Sequence, residues 1–243
     1  MRGDQGFPVR LRFAKRGKVR FISHRDVARA FERAFRIERL PLAFTVGFVP
    51  RPKVSFGLAL SVGHESDAEY LDVELEDAVD LDRWPDTLSA ALPEGITVTG
   101  AVGLADRAPA LQEAVTAVQY RVGVAGADRG EVAVAVEQAL SRPTLGTTRT
   151  RKGREVVEDV RPALLGMEVR PVHDRDDDGR VVVDLEVSTQ PKGTRPTEIL
   201  AAVGEHLTAE RVLRTHQWIE RAGARLEPLE ADARLRVPEA RAS

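Results

Sequence analysis

The stretch Val9-Arg10-Leu11-Arg12-Phe13-Ala14-Lys15-Arg16-Gly17-Lys18-Val19-Arg20-Phe21-Ile22-Ser23-His24-Arg25-Asp26-Val27 changes period midway, and that change decides the fold. Residues 9–13 alternate apolar and basic side chains, the period of a half-buried strand. Lys15-Arg16-Gly17-Lys18 reads as a hairpin turn, with Gly17 free to take a positive φ, and Val19-Arg20-Phe21-Ile22 as the returning arm. Beyond Ser23 the period becomes helical. Val27, Phe31, Ala34 and Phe35 share one face, while Arg25, Arg29, Arg33 and Arg36 lie nearly opposite. Ser23 is placed to cap this helix, with Asp26 as a weaker capping-box partner. Leu40-Pro41 ends it, because proline donates no hydrogen bond and restricts the residue before it.

Working outward, residues 42–46 read as a short strand and Gly47-Phe48-Val49-Pro50-Arg51-Pro52-Lys53 as a stiff loop. Residues 54–60 resume a strand, a turn follows at 62–66, and Tyr70, Leu71, Val73 and Leu75 mark another strand. A helix over 80–92 carries Leu81, Trp84, Leu88 and Leu92 until Pro93-Glu94-Gly95 stops it before a last strand at Ile96. Residues 103–112 read as a linker.

A comparable order then recurs. Strand 118–124 leads to helix 130–140, although Val132, Val134 and Val136 also alternate as in a strand. Strands 145–150 and 155–160 flank the turn Arg151-Lys152-Gly153, and strand 164–169, an acidic turn at 174–179 and strand 181–187 follow. A helix opens at Pro196 and strand 211–219 closes the order. The reading is an α+β protein of tandem ferredoxin-like βαββαβ domains, at residues 1–110 and 111–225, with a loose charged tail over 226–243.

Of 243 residues, 42% are hydrophobic and 30% charged, a composition for real cores under an ordinary surface. The net charge of −2 conceals an asymmetry: residues 1–40 hold twelve Lys/Arg against four Asp/Glu, and residues 64–94 hold eleven Asp/Glu against one Arg. The basic part can attract an anionic polymer or pair with the acidic part of the same chain. With no cysteine, disulfides, thiolate metal sites, cysteine-ligated iron–sulfur clusters and cysteine nucleophiles are excluded. A reducing cytoplasm is the expected location. There is no apolar run of about eighteen residues for a membrane span, and the polar N-terminus does not read as a signal peptide. The five histidines are scattered without His-x-x-x-His spacing, and there is no phosphate-binding or dinucleotide glycine loop, so no metal and no cofactor are expected.

Three candidate surfaces emerge in the first half. Arg10, Arg12, Lys15, Arg16, Lys18 and Arg20 form a basic strand and turn suited to following phosphates, or equally a solubilising edge. Ser23-His24-Arg25-Asp26 places His24 at a helix start, where it serves packing, substrate contact or, least favoured, acid–base chemistry. In the loop 47–53, Phe48 offers a stacking ring and Arg51 and Lys53 offer charge, while Pro50 and Pro52 limit the entropy lost on binding. In the second half, Arg142, Arg149, Arg151, Lys152 and Arg154 form a run without acids. Lys192 and Arg195 belong to a stiff loop whose Gly193 and Thr194 amides precede a helix and could meet an anion.

The segments from Arg12-Phe13-Ala14-Lys15 to Ser23-His24-Arg25-Asp26, then Gly47-Phe48-Val49-Pro50-Arg51-Pro52-Lys53-Val54-Ser55-Phe56, Glu69-Tyr70-Leu71-Asp72-Val73 and Asp159-Val160-Arg161-Pro162, resemble the radical-SAM-associated family of the DUF2344 type in its free-standing actinobacterial form. The resemblance covers roughly residues 8–220. Relatives stand alone or are fused behind a radical-SAM enzyme, and neighbour a ribonuclease of the E/G type and ribosomal protein genes. This implies a setting of RNA modification or processing, with RNA (tRNA or rRNA) and a separate radical-SAM enzyme or ribonuclease as partners. Val49 stands where the family usually has Asn. The resemblance transfers no catalytic role. The expected function is an accessory RNA-binding protein presenting RNA to a partner enzyme. The alternatives are a metal-independent RNA-processing or RNA-modifying enzyme using His24, and an interaction scaffold using the acids of residues 65–86.

Overall fold

Alternation along β1 (Phe7–Lys15) buries Val9, Leu11 and Phe13 in one hydrophobic core. A computed structural model of the chain describes residues 6–105, 108–151, 154–171 and 180–233. It divides into two units, one of Met1–Ala59, Glu69–Ala114 and Leu226–Ser243, the other of Leu60–Ala68 and Val115–Arg225.

In the first unit, β1 is followed by α1 (His24–Ile37), β2 (Val54–Phe56), β3 (Glu65–Leu75, whose first four residues belong to the second unit), α2 (Trp84–Ala91) and β4 (Ile96–Gly103). The strands lie in the order β4-β1-β3-β2, the ferredoxin-like arrangement. β1 and β4 pair antiparallel from Val9↔Gly103 to Lys15↔Ile96. The apolar face of α1 packs on this sheet as the periodicity predicts, with Val27, Phe31, Ala34 and Phe35 buried, and Phe31 meets Phe13 edge-on at 4.8 Å. Its cap is a full capping box. Ser23 Oγ accepts from the Asp26 amide at 3.2 Å, and Asp26 Oδ2 accepts from the Ser23 amide at 3.3 Å.

Several details differ from expectation. Residues Gly17–Phe21 form a 3₁₀ turn rather than a hairpin with a returning arm. β4 and β3 already occupy both edges of β1, so no edge remains for that arm. Moreover, a type I′ hairpin needs positive φ at two central residues, and here only Gly17, at +70°, supplies it. The short strand over 42–46 is reduced to the bridges Leu42↔Leu75 and Phe44↔Pro52. The supposed linker is part of the first unit: β4 reaches Gly103, and Leu111 of α3 (Leu111–Ala114) is buried. The loose tail is also corrected over 226–233, where α6 (Pro228–Ala231) buries Pro228 and Asp232 is 6% exposed. Residues 234–243 lie outside the described residues.

The second unit runs β5 (Ala117–Ala125), α4 (Arg129–Ser141), β6 (Gly146–Arg151), β7 (Arg154–Asp159), β8 (Leu164–Val169), β9 (Val181–Ser188), α5 (Pro196–Val203) and β10 (Thr208–Arg221). Its strands lie in the order β10-β5-β9-β8, all antiparallel, and β6 and β7 form a separate two-stranded ribbon between α4 and β8. Without that ribbon the connectivity is again βαββαβ. The opening residues of β3 pair with β10 in parallel, Leu213↔Glu65 and Arg214↔Ser66. For α4 the helical reading wins over alternation: Val132, Val136 and Ala139 are buried, whereas Val134 is 55% exposed. Among the described residues, no helix is long and apolar enough to cross a membrane.

Candidate nucleic-acid interface

The basic strand does not present its charges as expected. Arg10 is completely buried. Its Nε and Nη2 donate to the two Asp72 oxygens at 2.7 and 2.9 Å, and its Nη1 donates to Asp232 Oδ2 at 3.0 Å and to the Pro228 carbonyl at 3.3 Å. Burial alone would lower its pKa. Bonding and charge from Asp72 and Asp232 more than offset this and raise it. Alternation correctly turned Arg10 away from the apolar core, but residues 228–232 cover that face. Arg12 is half-buried and pairs with Glu227 at 3.2 Å. Lys15 shares the parity of Leu11 and Phe13 and is 4% exposed; its Nζ donates to the carbonyls of Arg20 at 3.3 Å and Ile22 at 3.2 Å. Burial lowers its pKa, against the opposing charge of Glu69. Arg10 and Lys15 are therefore corrected out of the phosphate-facing surface. Tyr70, on the same side of the sheet as Arg10, has its phenol pushed upward by burial.

The turn after β1 remains on the surface. Arg16 is half-buried, and its amide donates to the Gly95 carbonyl at 2.8 Å. Lys18 is exposed. Phe21 is 62% exposed, with the Arg20 guanidinium 4.6 Å above its ring. His24 is exposed at the first position of α1 and meets Phe56 edge-on at 4.9 Å. The Asp26 carboxylate accepts from Ser23 and from Arg29, and the Ser23 bonds hold its pKa below the usual carboxylate value. It thus completes the cap and does not orient His24 as a catalytic partner would.

The loop that carries Phe48 is a small closed projection. Phe44 bridges Pro52, the Thr45 amide donates to the Arg51 carbonyl at 2.8 Å, and the Arg51 amide donates to Thr45 Oγ1 at 3.1 Å. Val46 and Phe48 are fully exposed and Val49 is 66% exposed. Arg51 is exposed, as is Lys53, which pairs with Glu74 at 2.9 Å. The loop base is tied to the end of β3 by the Ala43 amide donating to the Glu74 carbonyl, whereas His24 sits at the start of α1. The His24 and Phe48 surfaces are therefore anchored at opposite ends of a 14-residue helix, about 20 Å long, rather than in one pocket. Arg25, Arg29, Arg33 and Arg36 are all exposed along α1, the cationic stripe that helical periodicity sets opposite its buried face.

In the second unit, Lys192 is exposed and pairs with Glu158 at 2.6 Å. Arg195 is exposed, and its amide donates to Glu198 Oε2 at 2.9 Å at the start of α5. Arg151 and Arg154 are partners at the tip of the β6–β7 ribbon. Their side chains, that of Arg149, and the whole of Lys152 lie outside the described residues, as does the acidic turn 174–179. A cavity of about 520 Å³ lies between Arg142, Thr144, Thr147, Ala202, Gly204 and Glu205. Sequence reasoning missed it because its walls come from segments distant along the chain and carry no motif.

Fold and surface together define a tandem ferredoxin-like α+β protein whose first unit exposes an arginine stripe, aromatic rings and a closed apolar loop. The chain belongs to DUF2344, a family of uncharacterized proteins conserved in bacteria, which it matches over residues 9–196. No curated protein matches it. Among solved structures it is similar to a chain of a Cbf5–Nop10–Gar1 complex (12% identity, 88% of this chain and 49% of that one, TM-score 0.45). It is also similar to a chain of an H/ACA RNP bound to a substrate RNA containing 2′-deoxyuridine (12% identity, 88% and 48%, TM-score 0.43). The chain spans about half the length of these matches.

Proposed function

We propose that the chain is an accessory RNA-binding protein that presents RNA to a separate modifying or processing enzyme. The observation that carries this reading is Phe48, fully exposed at the end of a loop closed by two hydrogen bonds. A solvent-facing phenylalanine contributes nothing to the core, and its face suits an unstacked base. Arg51 lies in the same loop for a flanking phosphate. The arginines from Arg25 to Arg36 give a cationic track of about 16 Å along α1. Arg16, Lys18 and Arg20 extend the basic surface beyond the helix start, and Lys53 adds charge near the loop. Arg12 contributes at the margin. Arg151, Lys152, Arg154, Lys192 and Arg195 would supply secondary phosphate contacts from the second unit. The contacts are of the kind that position a backbone rather than read a sequence. The choice of RNA, and of a radical-SAM enzyme or a ribonuclease of the E/G type as partner, rests on what the family resemblance implies.

Fluorescence anisotropy with a short labelled single-stranded RNA of mixed sequence tests this directly. Phe48→Ala should weaken binding at all salt concentrations. Arg51→Ala should weaken it most at low salt and flatten its salt dependence by about one phosphate contact. A correctly folded wild-type chain that binds no RNA at low salt overturns the reading. So do variants that bind as the wild type does.

A further inference from the structure

We infer that Phe21 and Arg20 form a second base-stacking subsite, taking one unstacked nucleobase of single-stranded RNA at the start of α1. The inference rests on the RNA-binding reading and adds to it a residue that the strand interpretation hid. As the returning arm of a hairpin, Phe21 would have alternated into a sheet; in the 3₁₀ turn it projects outward and is 62% exposed.

The turn is built to hold that ring in place. Buried Lys15 donates from one Nζ to the carbonyls of Arg20 and Ile22, the residues on either side of Phe21. The Arg16 amide is fixed to the Gly95 carbonyl at 2.8 Å. Gly95 itself takes a φ of +92°, and a Cβ there would collide with the Arg16 carbonyl. Burying a lysine carries a desolvation cost, and the same turn leaves a phenylalanine in water. Neither feature serves the core, while both serve a rigid platform.

The chemistry of the platform favours a nucleobase. The Arg20 guanidinium lies 4.6 Å over the ring, an attractive cation–π contact, and Phe21 as a whole is 62% exposed, which leaves ring surface for a flat partner. Every base has such a face, so stacking here is tolerant of sequence. Lys18, exposed in the same turn, is placed for the adjoining phosphate. His24 follows three residues later, also exposed. Phe21 precedes α1 in the chain and Phe48 lies in the loop that follows it, so an exposed aromatic residue flanks the arginine-bearing helix on either side in sequence.

The test uses the full chain and the same labelled single-stranded RNA, with Phe21→Ala, Phe21→Leu and Phe21→Trp. Loss of stacking should weaken binding about tenfold in Phe21→Ala. Phe21→Leu, which keeps apolar bulk without a ring, should recover little. Phe21→Trp should restore affinity and show fluorescence quenching on RNA addition beyond that of the wild type. If wild-type binding is intact and all three variants match it, the subsite is wrong while the RNA-binding reading stands. If the wild type itself does not bind, the broader reading has failed. Equal weakening by Leu and Trp would also overturn the subsite, because a ring would then confer no advantage.

Discussion

Arg10 Nη1 donates to Asp232 Oδ2 at 3.0 Å, joining β1 to a segment 222 residues further along the chain. Both side chains are buried, and Asp72 takes the remaining edge of the guanidinium. This relation changes the electrostatic reading of the first unit. Part of its basic strand is neutralised by carboxylates of the same chain, and the charge left for a partner lies on α1 and the surrounding turns.

Asp232→Ala should destabilise the first unit. The loss is expected to be about 3 kcal/mol, at the low end for breaking a buried pair because Asp72 remains as a partner. Urea denaturation of the purified chain measures it. Arg10→Ala, which removes the cation shared by Asp72 and Asp232, should cost at least as much. Equal stability of wild type and both variants would contradict a structural role for the network.

Ser23→Ala should cost about 1 kcal/mol at neutral pH by removing the α1 cap. The Asp26 pKa is depressed in the folded chain, so its share of the stability is present above the unfolded value, about 4, and is lost as pH falls through the lower folded value. The difference between wild type and Ser23→Ala should therefore narrow in acid. Denaturation curves at neutral pH and near pH 3 check the sign, and a gap that widens in acid contradicts it.

The chain's own pattern disclosed more of the fold than of the site. Both βαββαβ orders, the buried face of α1 and its cap could be read from local rules, because periodicity and capping act over a few residues. Arg10 could not, because its burial depends on residues 228–232, which no local pattern connects to β1. The 3₁₀ turn was hidden for a related reason: residues 19–22 alternate like a strand, and only the occupied edges of β1 deny them a partner. Residues 47–53 read as a loop and form one, but the place of Phe48 relative to His24 depends on where β2 and β3 anchor that loop. The arginine face of α1 is legible as a helical stripe, whereas nothing local in β1 shows that residues 228–232 cover Arg10.

Gly95→Ala should disturb the turn from Arg16 to Phe21, because both a positive φ and a close carbonyl exclude a Cβ there. Hydrogen exchange should rise at the Arg16 and Ile22 amides, which donate to Gly95 and Val19, with little change in the second unit. Unchanged protection at those amides would show that Gly95 does not hold the turn.

Replacing Arg29 and Arg33 together with alanine should lower the salt dependence of RNA binding by about two phosphate contacts and leave the helix intact, since both side chains are exposed. Anisotropy titrations across a salt series, paired with circular dichroism, measure both. An unchanged slope would remove the α1 stripe from the interface.

Ultraviolet crosslinking of the full chain to single-stranded RNA, followed by mass-spectrometric mapping of the modified peptides, tests the central claim most directly. The account predicts crosslinks in the peptides carrying Phe48 and the exposed face of α1, and none at the buried Arg10 itself. Crosslinks confined to the second unit, or to the Arg10 strand, would contradict it.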